Sequence, residues 1–114
     1  MDILTWILQG LLILMFLMAG IGKLVGSQMH KEAFDKLQLP QWFRVVTGLV
    51  EFIGATLLII GFWHITSSIV GALLLGVTAI GGILAHVKVK DSLKEAAPIT
   101  ILAVISFILL FLLM

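Results

Sequence analysis

Four long runs of apolar residues, separated by short polar segments, dominate the sequence. The runs cover about residues 3–25, 42–62, 67–86 and 97–114. A helix needs about 20 predominantly apolar residues to cross the hydrocarbon core of a bilayer, and each run is close to that length. The pattern predicts an all-α integral membrane four-helix bundle, with residues 1–114 forming a single four-span membrane domain.

The polar segment between the first two runs has helical periodicity. Its apolar and charged positions fall on opposite sides of a helix: Met29, Ala33, Phe34 and Leu37 against Lys31, Glu32, Asp35 and Lys36. This spacing predicts a short amphipathic helix in the first loop, lying in the membrane interface. Pro40 ends it, and Trp42-Phe43-Arg44 is expected to anchor the second span at headgroup level.

The start of the fourth helix has two readings. Ser92-Leu-Lys-Glu95 fits a capping box, so the helix can begin there and kink at Pro98. Alternatively, Pro98 itself stands near the first helical position.

Composition supports the membrane assignment and excludes several chemistries. Of the 114 residues, 61% are hydrophobic and 11% are charged, whereas soluble domains carry about 25% charged residues. The sequence contains no cysteine, which excludes disulfide exchange, thiolate nucleophiles and iron–sulfur ligation. The net charge of +1 gives no reason to expect nucleic acid as a partner.

The basic residues are distributed unequally between the two ends of the predicted spans. All seven lie at or between the ends that face one side: Lys23, Lys31, Lys36, Arg44, Lys88, Lys90 and Lys94. By the positive-inside rule, the first and third loops are predicted to be cytoplasmic, with both termini and the second loop outside.

Glu51 stands roughly halfway along the second span. An ionisable group at that depth costs on the order of 3 kcal/mol on insertion scales, so it is expected to face the bundle interior and to have a partner there. Lys23, near the end of the first span, can reach it, and His86 is a candidate third member. The alternatives are that Lys23 extends to the headgroups, that His86 marks a helix end, and that Glu51 forms a structural ion pair or hydrogen bond instead of a proton relay.

The other polar residues give weaker signals. Gln9, Phe16, Gly20 and Lys23 recur on one stripe of the first helix, which is predicted to face the bundle. His30 and His64 are interpreted as solvated loop histidines on opposite sides of the membrane, unable to share a metal or haem site. No phosphate loop, nucleophile elbow or zinc spacing is present, so neither a catalytic residue nor a metal ligand is assigned.

Several short motifs together resemble the DoxX-like family. They are Ala19-Gly20-Ile-Gly-Lys23-Leu24, Leu39-Pro40-x-Trp42, Glu51-x-x-Gly54 and Ala85-His86. The resemblance covers most of the chain and implies a multi-pass four-helix protein of the bacterial cytoplasmic membrane. It also implies links to quinone-coupled oxidation and oxidative-stress complexes, and a binding site or polar centre formed by Lys23, Glu51 and His86 with Trp42 beside it.

Two hypotheses about function follow. In the first, the bundle binds a quinone-like lipophile near Glu51 as a membrane subunit of a quinone-linked oxidoreductase, and electrons come from a redox partner protein. In the second, it is a membrane-protein assembly factor whose glycine-rich helices pack against client helices or a second copy of the chain. The sequence favours binding or interaction over catalysis and assigns no resident cofactor; quinone is the one candidate.

Overall fold

The computed structural model describes residues 2–114, and within this range every regular element is a helix. The helices are α1 (Ile3–Val25), α2 (Gln28–Lys36), α3 (Gln41–Ile60), α4 (Ile65–Lys88) and α5 (Leu93–Leu113). All of them except α2 are long and apolar enough to cross a membrane. The predicted all-α membrane bundle with a short helix in the first loop is confirmed.

The helix ends differ slightly from those predicted. α4 is longer than expected by two residues at each end, and α5 begins at Leu93, which confirms the capping-box alternative over a start near Pro98. Ser92 caps α5, because its side chain accepts the backbone N–H of Glu95. Pro98 therefore lies inside the helix, where it lacks the N–H that would bond the carbonyl of Lys94.

The four long helices are arranged in a ring. α3 packs between α1 and α4, α5 packs on α4, and a smaller contact between α1 and α5 closes the ring. The short helix α2 contacts the ends of α1 and α3. The end of the bundle near α2 also carries the connection between α4 and α5. The lysines and Arg44 lie at this end, which is called the basic end below.

The bundle interior is mainly apolar, and a buried glutamine makes a polar contact there that joins three helices. Leu12, Phe16, Leu58 and Leu75 are among its fully buried residues. Gln9 is also fully buried, and its Nε2 donates to the carbonyl of Leu58 at 2.7 Å and to Ser68 Oγ at 2.9 Å. The predicted bundle-facing stripe of α1 is therefore confirmed for Gln9, Phe16 and Gly20, which are all buried.

Glycines allow α1 and α3 to approach closely. A Cβ atom added to Gly48 would lie 2.9 Å from the carbonyl oxygen of Gly20 and 2.8 Å from Lys23 Cβ. Atoms do not pack at such separations, so only glycine fits at this crossing. The close approach brings the last turns of α1 beside the first half of α3.

The outward-facing surface of the long helices is apolar. Trp6, Met18, Val77 and Phe111 are each more than half exposed to the surroundings of the chain. A surface of this kind would be unfavourable in water and matches the hydrocarbon of a bilayer. The structure thus supports a lipid environment for the four long helices.

Candidate functional site

A cleft of about 570 Å³ lies at the basic end, between α3 and α4 and beneath α2. Its walls are mostly apolar: Ala33, Phe34, Leu37, Leu39, Phe43, Val46, Val50, Gly81, Gly82, Leu84, Ala85 and Ile99. Its polar members are Lys23, His30, Thr47, Glu51, Thr78, His86 and Lys88. An apolar cavity with a few polar groups is the usual form of a small-molecule site.

The cleft exists because α3 and α4 pack tightly only in their other halves. There, a Cβ atom on Gly54 would lie 2.5 Å from Leu75, and one on Gly71 would lie 3.1 Å from the carbonyl of Gly54. Towards the basic end the situation changes, since a Cβ atom on Gly81 would meet no atom within 4 Å. Gly81 and Leu84 line this space and are both exposed, so it reaches the outer surface of the bundle.

Lys23 and Glu51 form an ion pair at the cleft. Lys23 Nζ lies 2.8 Å from Glu51 Oε1, and the side chain of Glu51 is only 3% exposed. The crossing at Gly20 and Gly48 places the two side chains on facing helices, since each follows its glycine by three residues. The pair satisfies the requirement that an ionisable group within a span has a partner.

Arg44 is buried behind this pair, and the prediction that it is a headgroup anchor is wrong. Its Nη1 donates to the backbone carbonyl of Lys23, and its Nε donates to Gln41 Oε1 at 2.8 Å. A cation that bonds a carbonyl at the end of a helix also interacts favourably with the helix dipole. Arg44 therefore fixes the end of α1, and with it the position of Lys23.

His30 lines the cleft, although the sequence predicts it to be a solvated loop residue. It lies in α2 instead of a solvated loop, and its ring packs so closely on Gly22 that a Cβ there would lie 2.6 Å from His30 Cε1. Its Nδ1 lies 2.7 Å from Ser27 Oγ. Burial of the ring, aided by the charges of Lys23 and Arg44, lowers the pKa of His30 below its ordinary value. The imidazole is therefore neutral at pH 7.

His86 enters the cleft from α4 and is oriented by the loop that follows. Its Nδ1 lies 2.7 Å from Asp91 Oδ2, and this hydrogen bond is the main reason that the pKa of Asp91 lies below its ordinary value. Because the ionised carboxylate accepts, Nδ1 carries a proton and Nε2 is the free ring nitrogen. Lys36, at the end of α2, pairs with Glu95 and lies 3.9 Å from Asp91 Oδ1. These contacts hold α2 across the basic end of the cleft.

Comparison with known proteins identifies the family. The family model described as the DoxX-like family matches residues 7–108. The chain belongs to the DoxX-like family. The match reaches from α1 into α5, so it includes every element that forms the cleft. No curated protein and no solved structure matches the chain.

In this DoxX-like protein, the structure brings together three of the four residues expected at the site. Lys23, Glu51 and His86 all line the cleft, whereas Trp42 lies outside it and is 67% exposed. The Trp42 ring instead contacts Phe43 edge to face, with the ring centroids 5.7 Å apart. Phe43 is the cleft residue at this position. Whether the three residues bind anything stays a prediction.

The two residues that were missed have signals in the sequence of the DoxX-like protein. His30 precedes Phe34 and Leu37 by four and seven residues, which places it on the same face of α2. In the same way, Arg44 precedes Glu51 by seven residues and lies on its face of α3. The helical periodicity, when extended to His30 and Arg44, therefore indicates that both residues face the site.

The side chains of the cleft can form hydrogen bonds and exchange protons. Among residues 2–114, no group of three or more histidine, cysteine, aspartate or glutamate side chains is placed to hold a metal ion. The polar set includes one carboxylate with an ammonium group next to it and two imidazoles that each contact a neighbouring side chain, besides two threonine hydroxyls and Lys88. Such groups recognise and orient the polar head of a ligand.

Proposed function

We propose that the cleft binds a small lipophilic molecule with a compact polar head, of the quinone-like kind, which enters from the bilayer between α3 and α4. The observation that carries this proposal is the Lys23–Glu51 ion pair on the wall of an otherwise largely apolar cleft. Apolar walls match a hydrocarbon or isoprenoid tail, while the ion pair and the imidazoles match oxygen atoms of a head group.

The size of the cleft agrees with such a ligand. Small-molecule sites commonly occupy about 300–1,000 Å³, and this cleft has about 570 Å³. Its lipid-facing side at Gly81 and Leu84 gives a lipophile a route that does not cross the aqueous phase.

The proposed activity is binding, without catalysis by the chain alone. The side chains that line the cleft donate and accept protons, but none of them is redox-active. Electrons for a quinone would come from a partner protein, and the chain would then act as the membrane subunit of a quinone-linked or oxidative-stress complex.

A matched pair of glycine substitutions tests the site. Gly81→Phe places a ring in the cleft, whereas Gly10→Phe places the same ring on α1 away from it. A Cβ at either glycine would meet no atom within 4 Å, so both variants should fold. Saturable binding of a radiolabelled decyl benzoquinone is measured on protein in lipid nanodiscs, with protein-free nanodiscs correcting for partition into lipid.

The expected result is saturable binding to the wild type and to Gly10→Phe, and at least about tenfold weaker binding to Gly81→Phe, since ring and ligand together would overfill the cleft at a cost of about 1–3 kcal/mol. Equal binding to both variants, or none above partition in the wild type, would refute the proposal. A client membrane protein that co-purifies equally with wild type and Gly81→Phe, with no bound lipophile, would favour the assembly-factor alternative.

A further inference from the structure

The buried carboxylate of Glu51 has a single partner among the described residues, Lys23. Lys23 Nζ lies 2.8 Å from Oε1, and no other donor among residues 2–114 hydrogen-bonds this buried oxygen. The Glu51 side chain is 97% buried, being 3% exposed. Buried carboxylate oxygens almost always accept a hydrogen bond, and leaving one unmade costs free energy. An ionised carboxylate offers about four lone-pair sites, so Glu51 keeps the capacity to accept a further hydrogen bond from a ligand.

The hydroxyl groups that line the cleft do not meet this need. Thr47 Oγ1 donates to the carbonyl of Phe43 at 2.8 Å, and Thr78 Oγ1 donates to the carbonyl of Leu74 at 2.7 Å. Both hydroxyl protons are thus committed to their own helices. A second donor for Glu51 is therefore left to the molecule that occupies the cleft.

Lys23 supplies hydrogen-bond donors next to the Glu51 acceptor. The Lys23 ammonium has three N–H donors, of which its contact with Glu51 engages at most one. Ser27 Oγ accepts the backbone N–H of His30 and lies 2.7 Å from Nδ1 of the same ring, so this contact occupies Nδ1 and leaves Nε2 without it. Lys23 therefore donates to a ligand oxygen, whereas Glu51 accepts from a ligand proton.

We infer that the ligand of this cleft carries a hydroxyl group on its head, which donates its proton to Glu51 and accepts at its oxygen from Lys23. The ligand class is lipophilic phenols and hydroquinones, in preference to the corresponding quinones and ethers. A quinone carbonyl offers only lone pairs and would place them against the lone pairs of Glu51. This inference rests on the proposed function, because it takes the cleft to be a lipophile site.

Three ligands with the same tail test the inference. Binding of decyl hydroquinone, its dimethyl ether and decyl benzoquinone is measured on the full chain in nanodiscs, with the hydroquinone kept anaerobic and each value corrected for partition into protein-free nanodiscs. A hydrogen bond to a charged group is worth roughly a factor of ten or more in affinity. We expect the hydroquinone to bind about tenfold tighter, or more, than either of the other two.

A matched pair of charge-neutralising variants assigns the preference to one carboxylate. Glu51→Gln replaces the carboxylate, which only accepts hydrogen bonds, by an amide that also donates them. It should bring the affinity ratio of hydroquinone to ether close to one. Glu32→Gln makes the same chemical change at an exposed residue of α2 that bonds Gln28, and it should leave the ratio unchanged.

The outcomes separate the inference from the proposed function. Ether or quinone binding as tight as hydroquinone binding overturns the hydroxyl requirement and leaves the lipophile site standing. A hydroquinone-to-ether affinity ratio that persists in Glu51→Gln overturns the role of Glu51. If that variant does not fold, the ranking of the three ligands on the wild type decides whether a hydroxyl group is required. Absence of saturable binding for all three ligands overturns the proposed function as well.

Discussion

Lys23 and Glu51 join the end of α1 to the middle of α3, with Nζ and Oε1 2.8 Å apart and with Glu51 almost fully buried. Removing one member leaves the other unpaired where lipid cannot solvate it, which costs about 3 kcal/mol or more for a buried pair. We expect Lys23→Met and Glu51→Gln each to lower thermal stability in detergent. The double variant should lose less than the sum of the two.

Thermal unfolding of all four proteins forms a double-mutant cycle. Lys31→Met serves as a control, because Lys31 is exposed on α2 and its removal should leave the stability nearly unchanged. Strictly additive losses for the two cleft variants would show that Lys23 and Glu51 do not interact.

The crossing of α1 and α3 depends on Gly48. Gly48→Ala would place a methyl group 2.9 Å from the carbonyl oxygen of Gly20 and 2.8 Å from Lys23 Cβ, so the helices must separate. We expect a loss of about 1–3 kcal/mol in unfolding free energy. Gly10→Ala, which meets no atom within 4 Å, should be neutral or stabilising by up to about 1 kcal/mol through helix propensity. Equal effects of the two substitutions would contradict the close crossing.

His30 should titrate below its ordinary range. Its pKa is lowered first by burial and then by the charges of Lys23 and Arg44. In a pH titration followed by NMR of the imidazole carbons, we expect the His30 midpoint to lie below 6.5. The midpoint should rise in Lys23→Met, because one of the two cations is removed while burial remains. A midpoint at or above 6.5 would mean that the ring is not enclosed as described.

The same shift makes stability depend on pH in a definite direction. Because the folded protein binds the His30 proton more weakly than the unfolded chain, this contribution to stability is full above the unfolded pKa of about 6.5 and declines as the pH falls below it. Thermal stability should therefore fall between about pH 7 and pH 5. His30→Gln should reduce the dependence in that window, and an unchanged slope would exclude His30 as its source.

The orientation of the bundle is predicted from the basic residues at one end. The natural sequence has no cysteine, so single cysteines provide unambiguous labels. Cysteines introduced at Glu32 and Leu93, both exposed at the basic end, should resist an impermeant thiol reagent added to intact cells, while one at His64 should react. Labelling in the reverse pattern would invert the topology.

The sequence by itself determined the four spans, the amphipathic α2 and the faces on which Gln9 and Glu51 lie. These follow from local chemistry, because apolar length sets a span and the helical period sets a face. The proximity of Lys23 to Glu51 was also within reach of this reasoning, since the depth of a residue follows from its position along the helix.

Only the tertiary structure decided which side chains share the cleft. It added His30, placed Arg44 behind Lys23 and left Trp42 outside. Helical period gives the face of a residue, but not which helix that face meets or where two helices diverge. Here both depend on the crossing at Gly20 and Gly48, on the close packing of α3 with α4 in one half only, and on α2 folding back over the space that remains.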